Sequence, residues 1–347
     1  MTALLARQPA DVSAIDRSFL VLVLALLLIG FVAMTSASVE FADRRYGDAF
    51  FFAKRYGVYL LLASVLALMT YQVPMNFWRK NSWLLLLLGF VLLALVLIPG
   101  IGREVNGSRR WLALGPFTLQ ASELVKLFVV LYLAGYLVRR NEEVKNKFAG
   151  FVKPMAVVSA VTLLLMMEPD FGATVVTVGT ALALLFLAGV RLVQFLAVIA
   201  ACVAVLVATV LISPYRMKRL TAFTDPWADQ FDSGYQLTQS LIAFGRGGWT
   251  GAGLGNSVQK LFYLPEAHTD FVFAIWAEEF GFLGAMFVLV LFALLIAKIL
   301  RIARDAELRG LAFNGFVSYG GSSLMVCVIM MAMVARISQE NGGRHAN

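Results

Sequence analysis

The chain has 347 residues, of which 60% are hydrophobic and only 14% charged, and its mean hydropathy is +0.81. A water-soluble domain is nearer one quarter charged, so this composition excludes one and predicts an all-α, polytopic membrane bundle. The formal net charge of +8 suits a protein beside anionic lipid, and nothing in the pattern points to nucleic acid.

A membrane crossing takes about 20 mostly apolar residues. After an N-terminal tail over 1–16, apolar runs predict seven crossings within 17–213, near 17–37, 50–71, 82–101, 117–138, 152–167, 171–188 and 192–213. The first run is too long for a signal-peptide core, and no small-residue cleavage pattern closely follows it. Residues 214–270 form the one long loop, rich in Gly, Asp, Gln and aromatics and too polar to cross. Within 271–335 two more spans follow, near 271–298 and 316–335, before a tail over 336–347. Cys202 and Cys327 lie inside apolar runs and read as reduced packing residues.

Lys and Arg in short loops set orientation. Arg139, Arg140, Lys145, Lys147 and Lys153 mark one such loop as cytoplasmic, and Lys298, Arg301, Arg304 and Arg309 mark another. With the N-terminus inside, the 214–270 loop and the Glu168–Asp170 tip fall outside. Arg44, Arg45, Arg103, Arg109 and Arg110 then oppose the bias, and an anionic ligand would account for them. Nine spans leave the tail outside, although Arg336 and Arg344 suit the inside, and Leu311–Gly315 is too short to cross. Either the tail is external or one span is absent from the chain.

Several runs carry candidate chemistry. Glu123 and Lys126, at i and i+3, form either a structural ion pair or the lining of a polar cavity. Arg109 and Arg110 suit phosphate oxygens, or anchor the interface beside Trp111. Glu168-Pro169-Asp170 predicts a turn with Asp170 as a helix cap. The glycine-rich run Gly245–Gly255 lacks the strand context of a nucleotide loop, and reads as a loop that lets backbone approach a ligand or partner. Ser318–Ser323 lacks the spacing of a nucleophile elbow. With only His268 and His345 in the chain, hydroxyl-nucleophile and multi-histidine metal chemistry are both disfavoured. Asp270 opens the eighth span after a Pro- and His-containing approach, with Glu278 and Glu279 about two turns on. It is either an N-cap or a general base whose pKa desolvation raises.

Taken in order, Asn106–Leu127, Glu168–Gly172, Tyr215–Arg219, Gly234-Tyr-Gln, Gln259-Lys260, Leu264–Phe271 and Val317–Ser323 resemble the SEDS family of cell-wall proteins, nearest its division branch. The resemblance implies ten helices, so a ninth helix is expected to be missing between Gly315 and Phe316. It implies an inner-membrane enzyme of the division septum that polymerises lipid II into peptidoglycan strands, releasing undecaprenyl pyrophosphate. Asp270 matches the family's essential acid and would be the catalytic base. Arg109, Arg110, Arg216 and Lys260 are expected at the anionic part of lipid II, with Glu123, Lys126, His268 and Glu278 lining the substrate site. No tightly bound cofactor is implied, and a divalent cation such as Mg2+ is an alternative to arginine at the pyrophosphate. Expected partners are a class B penicillin-binding transpeptidase and other division membrane proteins. A lipid II flippase and a non-catalytic division scaffold are the competing readings.

Overall fold

The computed structural model describes residues 16–105, 108–114, 117–212, 214–318 and 324–343. In chain order the elements are α1 (Arg17–Tyr46), α2 (Phe51–Gln72), α3 (Met75–Leu97), β1 (Gly102–Val105), β2 (Ser108–Leu114) and β3 (Phe117–Gln120), followed by α4 (Ala121–Arg139), α5 (Asn141–Asn146), α6 (Phe148–Met167), α7 (Phe171–Leu187) and α8 (Leu192–Ile212). The long loop then supplies α9 (Pro214–Thr224) and α10 (Tyr235–Gly247), before α11 (Val272–Leu308), α12 (Ala312–Ser318) and α13 (Leu324–Gly343).

Among the described residues seven helices are long and apolar enough to cross a membrane, where the hydropathy pattern predicts nine spans. The difference is at two places. α7 is apolar but only 17 residues long, and the predicted span 316–335 lies partly outside the described residues, of which α13 begins at Leu324. The helices fall into two compact units, one of residues 1–17, 63–199 and 298–347, the other of 18–62 and 200–297.

In the first unit α4 is the central helix, with Leu127, Leu131, Leu133, Ala134 and Leu137 all buried. Association between helices in lipid depends on close packing more than on water exclusion. Gly89 of α3 shows this, because a Cβ there would lie 3.3 Å from both Val125 and Phe128 of α4. Ahead of α4 stands a three-stranded antiparallel sheet in the order β1-β2-β3, pairing Trp111 with Gln120 and Leu112 with Leu119. The hydropathy pattern did not place this sheet, since its strands are short and carry arginines.

The expected break at Gly315–Phe316 is absent, because α12 runs through both residues. α13 ends with Glu340 accepting the Met75 amide at 3.0 Å, and with Asn341 donating to the Ile302 carbonyl at 3.2 Å. The end of α13 therefore lies beside the start of α3 and the basic end of α11.

The second unit is assembled on small residues. Ala37 of α1, Ala243 of α10 and Ala274 of α11 are buried together with Ile275 and with Leu264 and Ala267 of the loop. At 1.5 Å per residue α11 would extend about 55 Å, well beyond the roughly 30 Å apolar core of a bilayer. It is broken at Gly281, whose φ of 66° and ψ of −167° are not helical. The break frees helix carbonyls that the glycine-rich run then satisfies: Ala252 N–H donates to Glu278 O at 3.0 Å and Gly253 N–H to Glu279 O at 2.9 Å. Residues 245–255 thus approach backbone closely, as their composition predicts, but the backbone they meet is that of α11.

A Cβ on Gly281 would sit 2.4 Å from Gly251 N and 2.6 Å from the Trp249 carbonyl, on top of a left-handed φ. Gly281→Ala is therefore expected to cost at least ~2 kcal/mol. Gly179→Ala, which has open space and an ordinary φ, serves as the control. Thermal melting of the purified variants checks this, and equal melting temperatures for the two would contradict it.

Candidate active site

Asp270 lies two residues before α11, at the end of a loop made of successive turns. Leu264 N–H donates to Gln259 O at 2.9 Å, Thr269 N–H to Glu266 O at 3.1 Å, and the Thr269 hydroxyl to the Glu266 carboxylate at 2.7 Å. Phe262 and Glu266 hold left-handed φ values of 69° and 54°, which bulky residues adopt only where their surroundings impose them. Asp270 is exposed, and among the described residues its carboxylate has no hydrogen-bond or ion-pair partner. Its side chain makes no capping bond to α11, whose first backbone bonds run from the Ala274 and Ile275 amides to the Phe271 carbonyl.

His268 is stacked on Phe41 of α1 at 5.0 Å between centroids and lies 4.9 Å from Phe52 of α2. Burial among these rings lowers its pKa, against a smaller opposing pull from Glu266, so near neutral pH it is a neutral aromatic surface. Arg44, one of the arginines that oppose the charge bias, lies over the Phe262 ring at 4.5 Å, a cation beside the loop.

Lys260 and Glu278 are engaged internally. The Lys260 ammonium, 5% exposed, donates to Glu279 at 2.9 Å and to the Ser36 hydroxyl at 3.3 Å. Ser36 also donates to both Glu279 oxygens, at 2.7 and 2.8 Å. Glu278 is wholly buried and accepts the Ser257 hydroxyl and the amides of Val258 (3.0 Å) and Gln259 (3.2 Å), with Arg246 at 3.6 Å. Direct contact with substrate, expected for both residues, is thus replaced by contacts within the fold. Arg216 lies on α9, and its side chain is outside the described residues.

The other candidates belong to the first unit. Glu123 and Lys126 pair at 2.8 Å on one face of α4, and the second Glu123 oxygen is buried without a partner. Arg109 pairs with Glu104 across the hairpin at 3.3 Å and is half-buried. Arg110 donates to the carbonyls of Glu168 and Pro169, so it clamps the α6–α7 tip. Asp170 caps α7 through the Ala173 amide at 3.1 Å, and accepts the Ser122 hydroxyl (3.0 Å) and the Gln120 amide (3.2 Å), which ties the tip to the start of α4. Among the described residues no three His, Cys, Asp or Glu side chains gather as metal ligands, and both cysteines are free.

Residues 16–315 match the family of FtsW, RodA and SpoVE cell cycle proteins. The chain belongs to that family. It is 47% identical to the probable peptidoglycan glycosyltransferase FtsW of Hahella chejuensis, covering 97% of this chain and 93% of the relative. To the protein of the same name from Nitrosococcus halophilus it is 55% identical, over 85% of this chain and 76% of the relative. Among solved structures it resembles one chain reported under "Structural coordination of polymerization and crosslinking by a peptidoglycan synthase complex", with TM-score 0.73, 26% identity, and 94% and 98% of the two chains covered.

Glu168, at the tip, is a site that sequence reading left undecided. Its carboxyl is fully buried with both oxygens unpartnered. Burial first, and the Asp170 charge second, raise its pKa from 4.5 to about 8, with Arg110 offsetting part. Between those pH values the folded protein holds a proton that the unfolded chain has released. Stability is therefore fully present below pH 4.5 and declines until the folded carboxyl ionises near pH 8. Melting temperature should fall across this window in the wild type, and fall less in Glu168→Gln. Parallel pH profiles would contradict the assignment.

Proposed function

We infer that this chain is a peptidoglycan glycosyltransferase that polymerises lipid II at the outer face of the inner membrane during septal wall synthesis. The observation that carries the reading is Asp270: an exposed carboxylate, free of internal partners among the described residues, at the end of a loop built rigidly from turns, in a chain of this family. A carboxylate so placed keeps its lone pairs for a substrate proton.

In the reaction the acceptor's sugar hydroxyl attacks the anomeric carbon of the donor. Asp270 takes the hydroxyl proton as the new glycosidic bond forms. The bond from that carbon to the pyrophosphate oxygen breaks, and undecaprenyl pyrophosphate leaves with the electron pair. Because this leaving group is already good, a single carboxylate suffices, whereas a glycoside hydrolase needs a second acid. The departing charge calls for cations. Arg109, half-buried on the hairpin, has donors beyond its bond to Glu104. Lys260 is committed to Glu279 and is a poorer choice. The described residues offer no ligand cluster for a divalent cation, and no step here depends on one.

The same reading places residues 214–270 outside and the basic 139–153 loop inside, and makes the chain a family member lacking the ninth of ten helices. The resemblance to a component of a peptidoglycan synthase complex supports a class B penicillin-binding transpeptidase as partner, with other division proteins around it.

Asp270→Asn preserves size and leaves the backbone turn intact. Purified with its transpeptidase partner and supplied with lipid II, this variant should melt at the wild-type temperature and polymerise about 10²- to 10⁴-fold more slowly. Polymerisation within a few-fold of wild type would remove Asp270 from the chemistry, and would return the function to lipid II transport or scaffolding.

A further inference from the structure

We propose that Glu278 and Glu279 are positioning residues, which set Asp270 by holding the first residues of its loop against α11. The proposal rests on the reading of Asp270 as the base. The two carboxylates stand side by side just before the break at Gly281, and each is 1% exposed or less. Adjacent helix residues point about 100° apart, so the pair serves two different targets. Glu278 takes the start of the loop, through the Ser257 hydroxyl and the Val258 and Gln259 amides. Glu279 takes Lys260, the next residue along, and joins it to Ser36 of α1.

Both ends of the 257–270 loop are thus fixed to one helix. At the far end the chain enters α11 directly. At the near end two buried carboxylates hold four consecutive residues, Ser257–Lys260. A turn-built loop pinned at both ends cannot shift Asp270 without breaking charge-assisted bonds in a buried setting, where they are strong. Neither carboxylate is needed to fill space. An apolar pair would cover the same volume without the desolvation that two buried acids incur. Their work is therefore orientation, and misplacing a reacting group by about 1 Å can reduce rate 10²-fold.

The test is lipid II polymerisation by Glu278→Gln and Glu279→Gln, each purified with the transpeptidase partner, with kcat and KM measured separately. Leu131→Ala, in the core of the other unit, supplies a control of lowered melting temperature with the loop untouched. The proposal predicts that kcat falls about 10- to 100-fold with KM within about twofold of wild type, and that the Leu131→Ala control retains a higher kcat at matched melting temperature. Ser257→Ala and Ser36→Ala remove one hydroxyl each and carry the test if a carboxamide variant fails to fold, with a smaller fall in kcat expected. Unchanged kcat, or a fall no greater than in the control, would overturn the proposal. So would a rise in KM at constant kcat, which would make the carboxylates substrate contacts. Asp270→Asn measured alongside separates the two ideas: if it is inactive while the Glu278 and Glu279 variants are active, only the positioning role fails.

Discussion

The second unit depends on one constraint, which is that two buried carboxylates must be satisfied at the place where α11 breaks. An ionised acid removed from water is tolerated only when charge and hydrogen bonds surround it. Glu278 and Glu279 meet that demand with the loop's own amides, a lysine and two serine hydroxyls. The helix break at Gly281 in turn leaves carbonyls to be satisfied, and Ala252 and Gly253 of the glycine-rich run supply the amides, an approach that a Cβ on the neighbouring Gly251 would block. The loop bearing Asp270, the run before it and α1 are thereby tied to α11 through polar contacts, while small alanines let the helices approach.

The first unit uses a different device for a similar end. Asp170 caps α7 and reaches across to Ser122 and Gln120, so the α6–α7 tip is fastened to the start of α4. Arg110 clamps the tip's carbonyls from β2. Glu168 is the exception within this arrangement, since its buried carboxyl lacks partners and is stable there only while it carries its proton. In the second unit Asp270 is exposed, while Glu278, Glu279 and Lys260 are buried and occupied within the fold.

Much of this was legible in the sequence where the signal was local and periodic. Apolar runs fell on the seven long apolar helices, the i, i+3 spacing of Glu123 and Lys126 predicted their pair, and Glu168-Pro169-Asp170 predicted a capped turn. What could not be read depended on contacts distant along the chain. Lys260 and Ser36 are separated by 224 positions, and no spacing rule connects them, so a lysine beside an expected active site looked like a phosphate ligand. The same holds for Gly281, an ordinary glycine in an apolar helix until its contact with Gly251 is known. α9 and α10 were read as loop because their buried faces are made of small and hydroxyl residues, such as Thr238, Ser240 and Ala243, which carry little hydropathy.

The central claim is that the Asp270 loop is fixed to α11 through amides that donate to a buried carboxylate. Hydrogen exchange at individual amides of the protein in lipid nanodiscs tests it most directly. The account predicts that Val258 and Gln259 exchange as slowly as the helical amides of α10, although both lie in a segment without regular secondary structure. It also predicts that Glu278→Gln accelerates both. Exchange of these two amides in the wild type at the rate of exposed loop residues would show that the carboxylate does not hold them, and would contradict the account.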